Sequence, residues 1–308
     1  MPLDHTAKGV YVIATTPFLD DYAIDTKSID RLTDFYAEAG STGMTILGIM
    51  GEAPKLEATE SIAIVKQVVG RTKLPVIVGV SAPGFAAMRS LARQSMDLGA
   101  AGVMIAPPSN LRTDDQIKNY YASAIEAIGD DIPFVIQDYP LTLTVVMTHG
   151  VIRDIVNAHS SCIMLKHEDW PGLEKITSLR KFQSAGEMRD ISILCGNGGL
   201  FIDFEMERGA DGAMTGYAFT DALADIVRLQ AEGRRDEAHD LFDAHLPLIR
   251  YEQQQGVGLA ARKYVLQKRG LITSDIQRKP AGTLSPKARE EIDYLLTRVA
   301  KHDPRAAL

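Results

Sequence analysis

Eight short apolar runs alternate with longer amphipathic stretches, and nothing in 308 residues marks an independent second domain. These observations predict an α/β chain: a (β/α)8 TIM barrel with a C-terminal three-helix extension. The barrel is expected over residues 1–220 and carries the active site. Residues 221–308 are expected as a helical extension of the same domain.

The runs are Val10–Thr16, Met44–Leu47, Val76–Val80, Val103–Ala106, Phe134–Gln137, Cys162–Lys166, Ile193–Cys195 and Ala213–Thr215. Strands that are apolar throughout belong to parallel sheets covered by helices. Helical patterns follow at Ser28–Ala39, Thr59–Val69, Ala86–Leu98, Thr113–Ile128 and Leu173–Arg180. Gly40, Gly99 and Gly209 close helices just before strands, where a left-handed cap is expected. After Thr220 the alternation stops. Asp221–Ala231, Asp236–Gln253, Val257–Lys268 and Pro286–Ala300 read as helices, with Pro280-Ala281-Gly282 as a hinge before the last.

Composition narrows the function classes. Hydrophobic residues make up 45% and charged residues 24%, enough for a sizeable core. A net charge of −7 with scattered Lys and Arg lacks the footprint of a nucleic-acid binder. No apolar run has the length of a membrane span, and the N-terminus lacks a signal-peptide pattern. The two cysteines, Cys162 and Cys195, lie in apolar runs and are expected as buried thiols. A cytoplasmic location is the expectation.

Barrel active sites sit at the C-terminal ends of the strands. Lys166 closes the run Cys-Ile-Met-Leu. Burial disfavours the charged form of a lysine, and a neutral amine at a barrel mouth can attack a ketone and form an imine. Pairing with a carboxylate is the structural alternative. Glu168, two residues on, shares the face of Lys166 if the strand geometry persists. It is the candidate proton carrier at C3 or C4 of a substrate, or else only the partner of Lys166. His167 then points outward, in a packing or surface role. Gly-rich turns after the second and seventh runs offer unobstructed backbone N–H groups for a carboxylate or a phosphate, although neither matches a phosphate-binding motif. The histidines show no strand-end pair with metal spacing, which disfavours a metal-dependent aldolase. A covalent lysine imine with the substrate needs no organic cofactor, so no cofactor and no metal are expected.

The motifs GIMGEAPKL (Gly48–Leu56), QDYP (Gln137–Pro140), LKHEDWPG (Leu165–Gly172) and GNGG (Gly196–Gly199), in that order, resemble the dihydrodipicolinate synthase / N-acetylneuraminate lyase family. The resemblance runs from Gly9 to about Ala300. It implies a pyruvate-type Schiff base on Lys166 and a homotetramer, a dimer of dimers. Several positions depart from the family pattern. The hydroxyl residues of the G-T-T-G-E turn become Ile49 and Met50. The tyrosine of Y-N-x-P falls on Gln137, and an amide cannot act as a general acid or base. The arginine that holds the synthase's second carboxylate falls on Thr142, and its interface tyrosine on Ser109. Tyr139 is shifted by two, and Pro140 argues against its sharing the Gln137 face.

A glutamine there, with Lys-x-Glu on the sixth strand, resembles the L-2-keto-3-deoxyarabonate dehydratase branch. The expected function is therefore a class I lyase on a small 2-keto acid, foremost dehydration of a 2-keto-3-deoxy sugar acid. A retro-aldolase and a pyrroline-4-hydroxy-2-carboxylate deaminase are the alternatives, the synthase proper ranks lower, and a non-catalytic keto-acid sensor ranks last. The expected catalytic residues are Lys166, Glu168 and Gln137. The expected substrate contacts are Met50, Gly51, Asp138, Gly196, Asn197 and Met214, with the amides of Met50 and Gly51 on the carboxylate.

Overall fold

The computed structural model describes residues 3–170 and 172–308; Met1, Pro2 and the Pro171 of the LKHEDWPG motif lie outside them. Strands β1 (Gly9–Ile13), β2 (Gly43–Ile46), β3 (Val76–Gly79), β4 (Gly102–Ile105), β5 (Phe134–Asp138), β6 (Cys162–His167), β7 (Ser192–Cys195) and β8 (Gly212–Ala213) close in chain order into one barrel. Every neighbouring pair is parallel, including β1 with β8. The expected (β/α)8 barrel is the fold observed.

The helices are α1 (Thr26–Glu38), α2 (Ala58–Arg71), α3 (Phe85–Asp97), α4 (Asp114–Ile128), the single turn α5 (Pro140–Leu143), α6 (His149–Ala158), α7 (Leu173–Ser184) and α8 (Ile202–Glu207). After β8 come α9 (Thr220–Ala231), α10 (Arg235–Glu252), α11 (Gly258–Lys268) and α12 (Pro286–Val299). Local chemistry starts several of them. Asp25 accepts from the Ser28 amide at 3.0 Å, and Thr113 forms a reciprocal capping box with Gln116. Gly40, Gly99 and Gly209 take φ of +85°, +101° and +97°, the left-handed region where a side chain is strained. Helix α9 packs against β1 and α8 and so completes the eighth β/α unit. Helix α9 also packs against α10, which α11 and α12 follow.

The period-two alternation of the strands divides the core in two. Tyr11, Ile77, Met104, Val135, Met164, Leu194 and Met214 fill the barrel interior. Val10, Val12, Val103, Ile105, Phe134, Ile136 and Leu165 face the helices. The pairing of β6 with β5 carries one irregularity: Phe134 faces Cys162 and Val135 faces Met164, so Ile163 is an extra residue. Cys162 and Cys195 are buried and unbridged, as expected. Among the described residues no helix is long and apolar enough to cross a membrane.

Behind β6 and β7 lies a buried polar cluster. His167 faces outward, as expected, and is fully buried, with Nε2 3.1 Å from the Gly172 carbonyl and 3.8 Å from Glu205 Oε1. Burial, and secondarily Lys175, pulls the imidazole down to about 4. Burial pushes the Glu205 carboxyl up to about 8. His167 alone makes stability rise with pH up to its ordinary value of 6.5. Between 6.5 and 8 the native Glu205 keeps a proton that the unfolded chain has released. Its contribution to stability is therefore lost as pH rises through that window. Chemical denaturation of wild type and Glu205→Gln is expected to show the wild type losing about 2 kcal/mol relative to the variant between those limits. A constant difference between the two proteins would contradict the assignment.

Candidate active site

Strand register sets the site. Gln137 on β5 lies opposite Lys166 on β6, and Asp138 lies opposite His167. The Glu168 amide donates to the Asp138 carbonyl at 2.9 Å, so the ladder runs one residue past β6. Glu168 therefore shares the inner face with Lys166. Lys166 Nζ is 3.0 Å from Glu168 Oε2, and Gln137 Nε2 donates to the same oxygen at 2.8 Å. All three side chains are buried, and all three line a cavity of about 640 Å³ at the C-terminal mouth of the barrel.

The turn after β7 holds Glu168 from the other side. Asn197 donates its side-chain amide to the Glu168 carbonyl at 2.8 Å and its backbone N–H to Oε1 at 3.4 Å. A Cβ on Gly196 would fall 2.0 Å from Glu168 Cγ, so the carboxylate occupies space that only a glycine leaves. Gly196 and Asn197 thus pack against and hydrogen-bond Glu168.

The other expected contacts are placed as follows. Met50 lines the cavity beside Ile49. Gly51 does not offer its amide: the N–H donates to Gly48 O at 3.0 Å within the turn, and its carbonyl accepts from the Thr16 hydroxyl at 2.6 Å. Asp138 is turned to the outer face by alternation, where Lys175 Nζ meets Oδ2 at 2.7 Å. Burial pushes this carboxyl up to about 6, against the pull of Lys175. Asp138 is not among the residues that line the cavity. Met214 is fully buried in the barrel interior and is packing. Strand β5 ends at Asp138, before Tyr139 and Pro140, and Tyr139 lines the cavity from the turn that follows.

Residues without an assigned role in the sequence complete the wall. Glu52, buried, meets Lys263 Nζ at 2.5 Å, Lys55 Nζ at 2.8 Å and the Arg278 amide at 3.1 Å. Burial pulls Lys263 down to about 8, with Glu52 opposing. Glu252 and Arg262, both buried, pair at 2.8 Å on the same wall. One signal was present in the sequence. Helix α11 is apolar on most sides, with Ala260, Ala261, Val265 and Leu266 buried, so Arg262 and Lys263 had no solvent face to occupy. Among the described residues no group of three or more His, Cys, Asp or Glu is arranged to hold a metal ion.

A search of solved structures finds dihydrodipicolinate synthase from Rhodopseudomonas palustris, 68% identical, with a TM-score of 0.96 over 97% of this chain and 99% of that one. The L-2-keto-3-deoxyarabonate dehydratase of Azospirillum brasilense is 32% identical over 295 residues, 92% of each chain. A prophage protein of the dihydrodipicolinic acid synthase family from E. coli K12, in complex with pyruvate, has a TM-score of 0.84 over 95% of this chain and 98% of its own at 19% identity. These findings correct the expected branch and the expected dehydration. Two-thirds identity along nearly the whole chain to a protein named as the synthase outweighs one-third identity to the dehydratase. Ranking the synthase lower rested on a few substituted positions around Gln137, Ser109 and Thr142, too few to set against that breadth. The model of the Dihydrodipicolinate synthetase family matches residues 6–299, and the chain belongs to that family.

Proposed function

We propose that this protein is a Schiff-base lyase of the synthase type: Lys166 forms an imine with a pyruvate-type 2-keto acid, and the derived enamine adds to a second small carbonyl compound. The observation that carries the reading is the convergence of Lys166 Nζ and the Gln137 amide on one oxygen of Glu168, at 3.0 and 2.8 Å. The 68% identity to a dihydrodipicolinate synthase supports the condensing outcome, and the E. coli K12 relative holds pyruvate on the same fold.

The steps follow from the residues present. Glu168 takes a proton from Lys166, and the free amine attacks C2 of the keto acid. The carbinolamine loses its hydroxyl as water, using the proton held by Glu168, and leaves an iminium. Glu168 then removes a proton from C3, and that electron pair neutralises the iminium nitrogen as the enamine forms. The enamine carbon attacks the second carbonyl, whose oxygen takes up a proton. Hydrolysis of the resulting imine returns the amine of Lys166. Gln137 cannot carry protons, so its part is to fix the carboxylate rotamer.

Two outcomes are expected. Wild-type enzyme treated with pyruvate and borohydride gains the mass of one reduced adduct per chain, and Lys166→Ala gains none. A wild type without adduct, or an adduct on Lys166→Ala, contradicts the reading. In Gly196→Ala the new methyl displaces Glu168 while leaving Lys166 in place. Turnover should fall by about 10²-fold, since an ångström of misplacement has that effect. The pyruvate adduct should still be trapped. Undiminished turnover would remove Glu168 from the mechanism.

A further inference from the structure

Lys175 is a buried cation on the outer face of the barrel, and the proposed reaction gives it no task. It stands in the first turn of α7. A cation there opposes the helix dipole, which favours negative charge at an N-terminus. Its side chain is 9% exposed, and burying an ammonium is costly unless partners replace its water. Three partners do. Nζ lies 2.7 Å from Asp138 Oδ2, 2.7 Å from Asp169 Oδ2 and 2.7 Å from the Met147 carbonyl, which occupies all three N–H groups.

Two of these partners adjoin the catalytic residues. Asp138 follows Gln137 at the end of β5, and Asp169 follows Glu168 just past β6. The Asp138 carbonyl already accepts the Glu168 amide at 2.9 Å. Lys175 adds a side-chain clasp between the same two strand ends, from behind. Among the described residues Asp138 Oδ1 has no hydrogen-bond partner. Burial raises the Asp138 carboxyl, Lys175 opposes, and Asp169 and Glu168 add to the rise. Without the ammonium, a buried Asp138 carboxylate would face Asp169 and Glu168 uncompensated, and like charges push apart.

We propose that Lys175 is a positioning residue for the proton transfer at C3: it clasps the end of β6 to the end of β5 and so keeps the Glu168 carboxylate on the Gln137 amide. Loss of the clasp frees the Asp169 segment and turns Glu168 away from C3 of the bound keto acid. Lys166 lies two residues deeper in the strand, where pairing with Gln137 on one side and Leu194 on the other holds it. The imine therefore still forms. This inference rests on the reading of Lys166 as nucleophile and Glu168 as base.

The test measures two quantities on each protein with pyruvate alone. One is the fraction of chains trapped by borohydride; the other is the rate of methyl-proton exchange in D2O per trapped chain. Lys175→Met fills the space without the charge. It should be trapped as wild type is and exchange about 10²-fold more slowly, the effect of an ångström of misplacement. Lys175→Arg, which keeps the charge, should lose less. A purely structural role would lower the trapped fraction and leave exchange per trapped chain unchanged, and that result overturns the proposal. If Lys175→Met is not trapped, Asp169→Asn carries the test, since it leaves Lys175 paired with Asp138. Slower exchange per trapped chain then supports the clasp, and exchange at the wild-type rate overturns it. A wild type without adduct overturns the Lys166 reading instead, and exchange by Glu168→Gln at the wild-type rate overturns the Glu168 reading.

Discussion

Between Phe134 and Val135 on β5, the facing strand β6 carries one residue more, so that Cys162 and Met164 both find partners and Ile163 stands between them. Side chains in a strand alternate with a period of two, so one inserted residue reverses every orientation that follows it. Cys162 packs toward the helices and Met164 into the barrel. Without the bulge at Ile163, regular alternation from the same outward Cys162 would send Lys166 and Glu168 outward as well. With it, Lys166 comes to lie beside the inward Gln137 and Glu168 above both. The chemistry of the mouth thus depends on a local irregularity in the floor of the barrel.

The extension acts on the same mouth from above. Helix α11 brings two cations into it, Lys263 onto Glu52 and Arg262 onto Glu252. Buried ion pairs need not add net stability, because desolvation offsets most of their attraction. Their effect here is geometric. Glu52 ties the turn after β2 to α11 and to the Arg278 backbone, so the cavity wall is one connected piece. Lys166 and Glu168 are in turn shielded from water, which strengthens every charge contact between them.

Much of the fold was legible. The strand runs were found because parallel strands under helices are apolar throughout, and their bounds differ from the observed ones mainly at the ends of β1 and β8. Alternation correctly brought Glu168 to the face of Lys166, since the two lie after the bulge. The same rule, applied to Asp138, would have turned it away from the mouth; grouping it with Gln137 by motif obscured that. An open turn sequence likewise does not reveal that the Gly51 amide donates within its own turn. The apolar neighbours of Arg262 and Lys263 on α11 signalled buried cations, but their partners Glu252 and Glu52 were not legible, because the pairs span 10 and 211 residues. The reaction was misjudged for a different reason: a substituted tyrosine at Gln137 was given more weight than the chain as a whole.

The central claim is that Glu168, held by Lys166 and Gln137, moves the C3 proton of the bound keto acid. The most direct measurement is exchange of the methyl protons of pyruvate in D2O, followed by proton NMR with no second substrate present. Wild-type enzyme should exchange them, and Glu168→Gln should do so about 10²-fold more slowly. Exchange by Glu168→Gln at the wild-type rate would contradict the account.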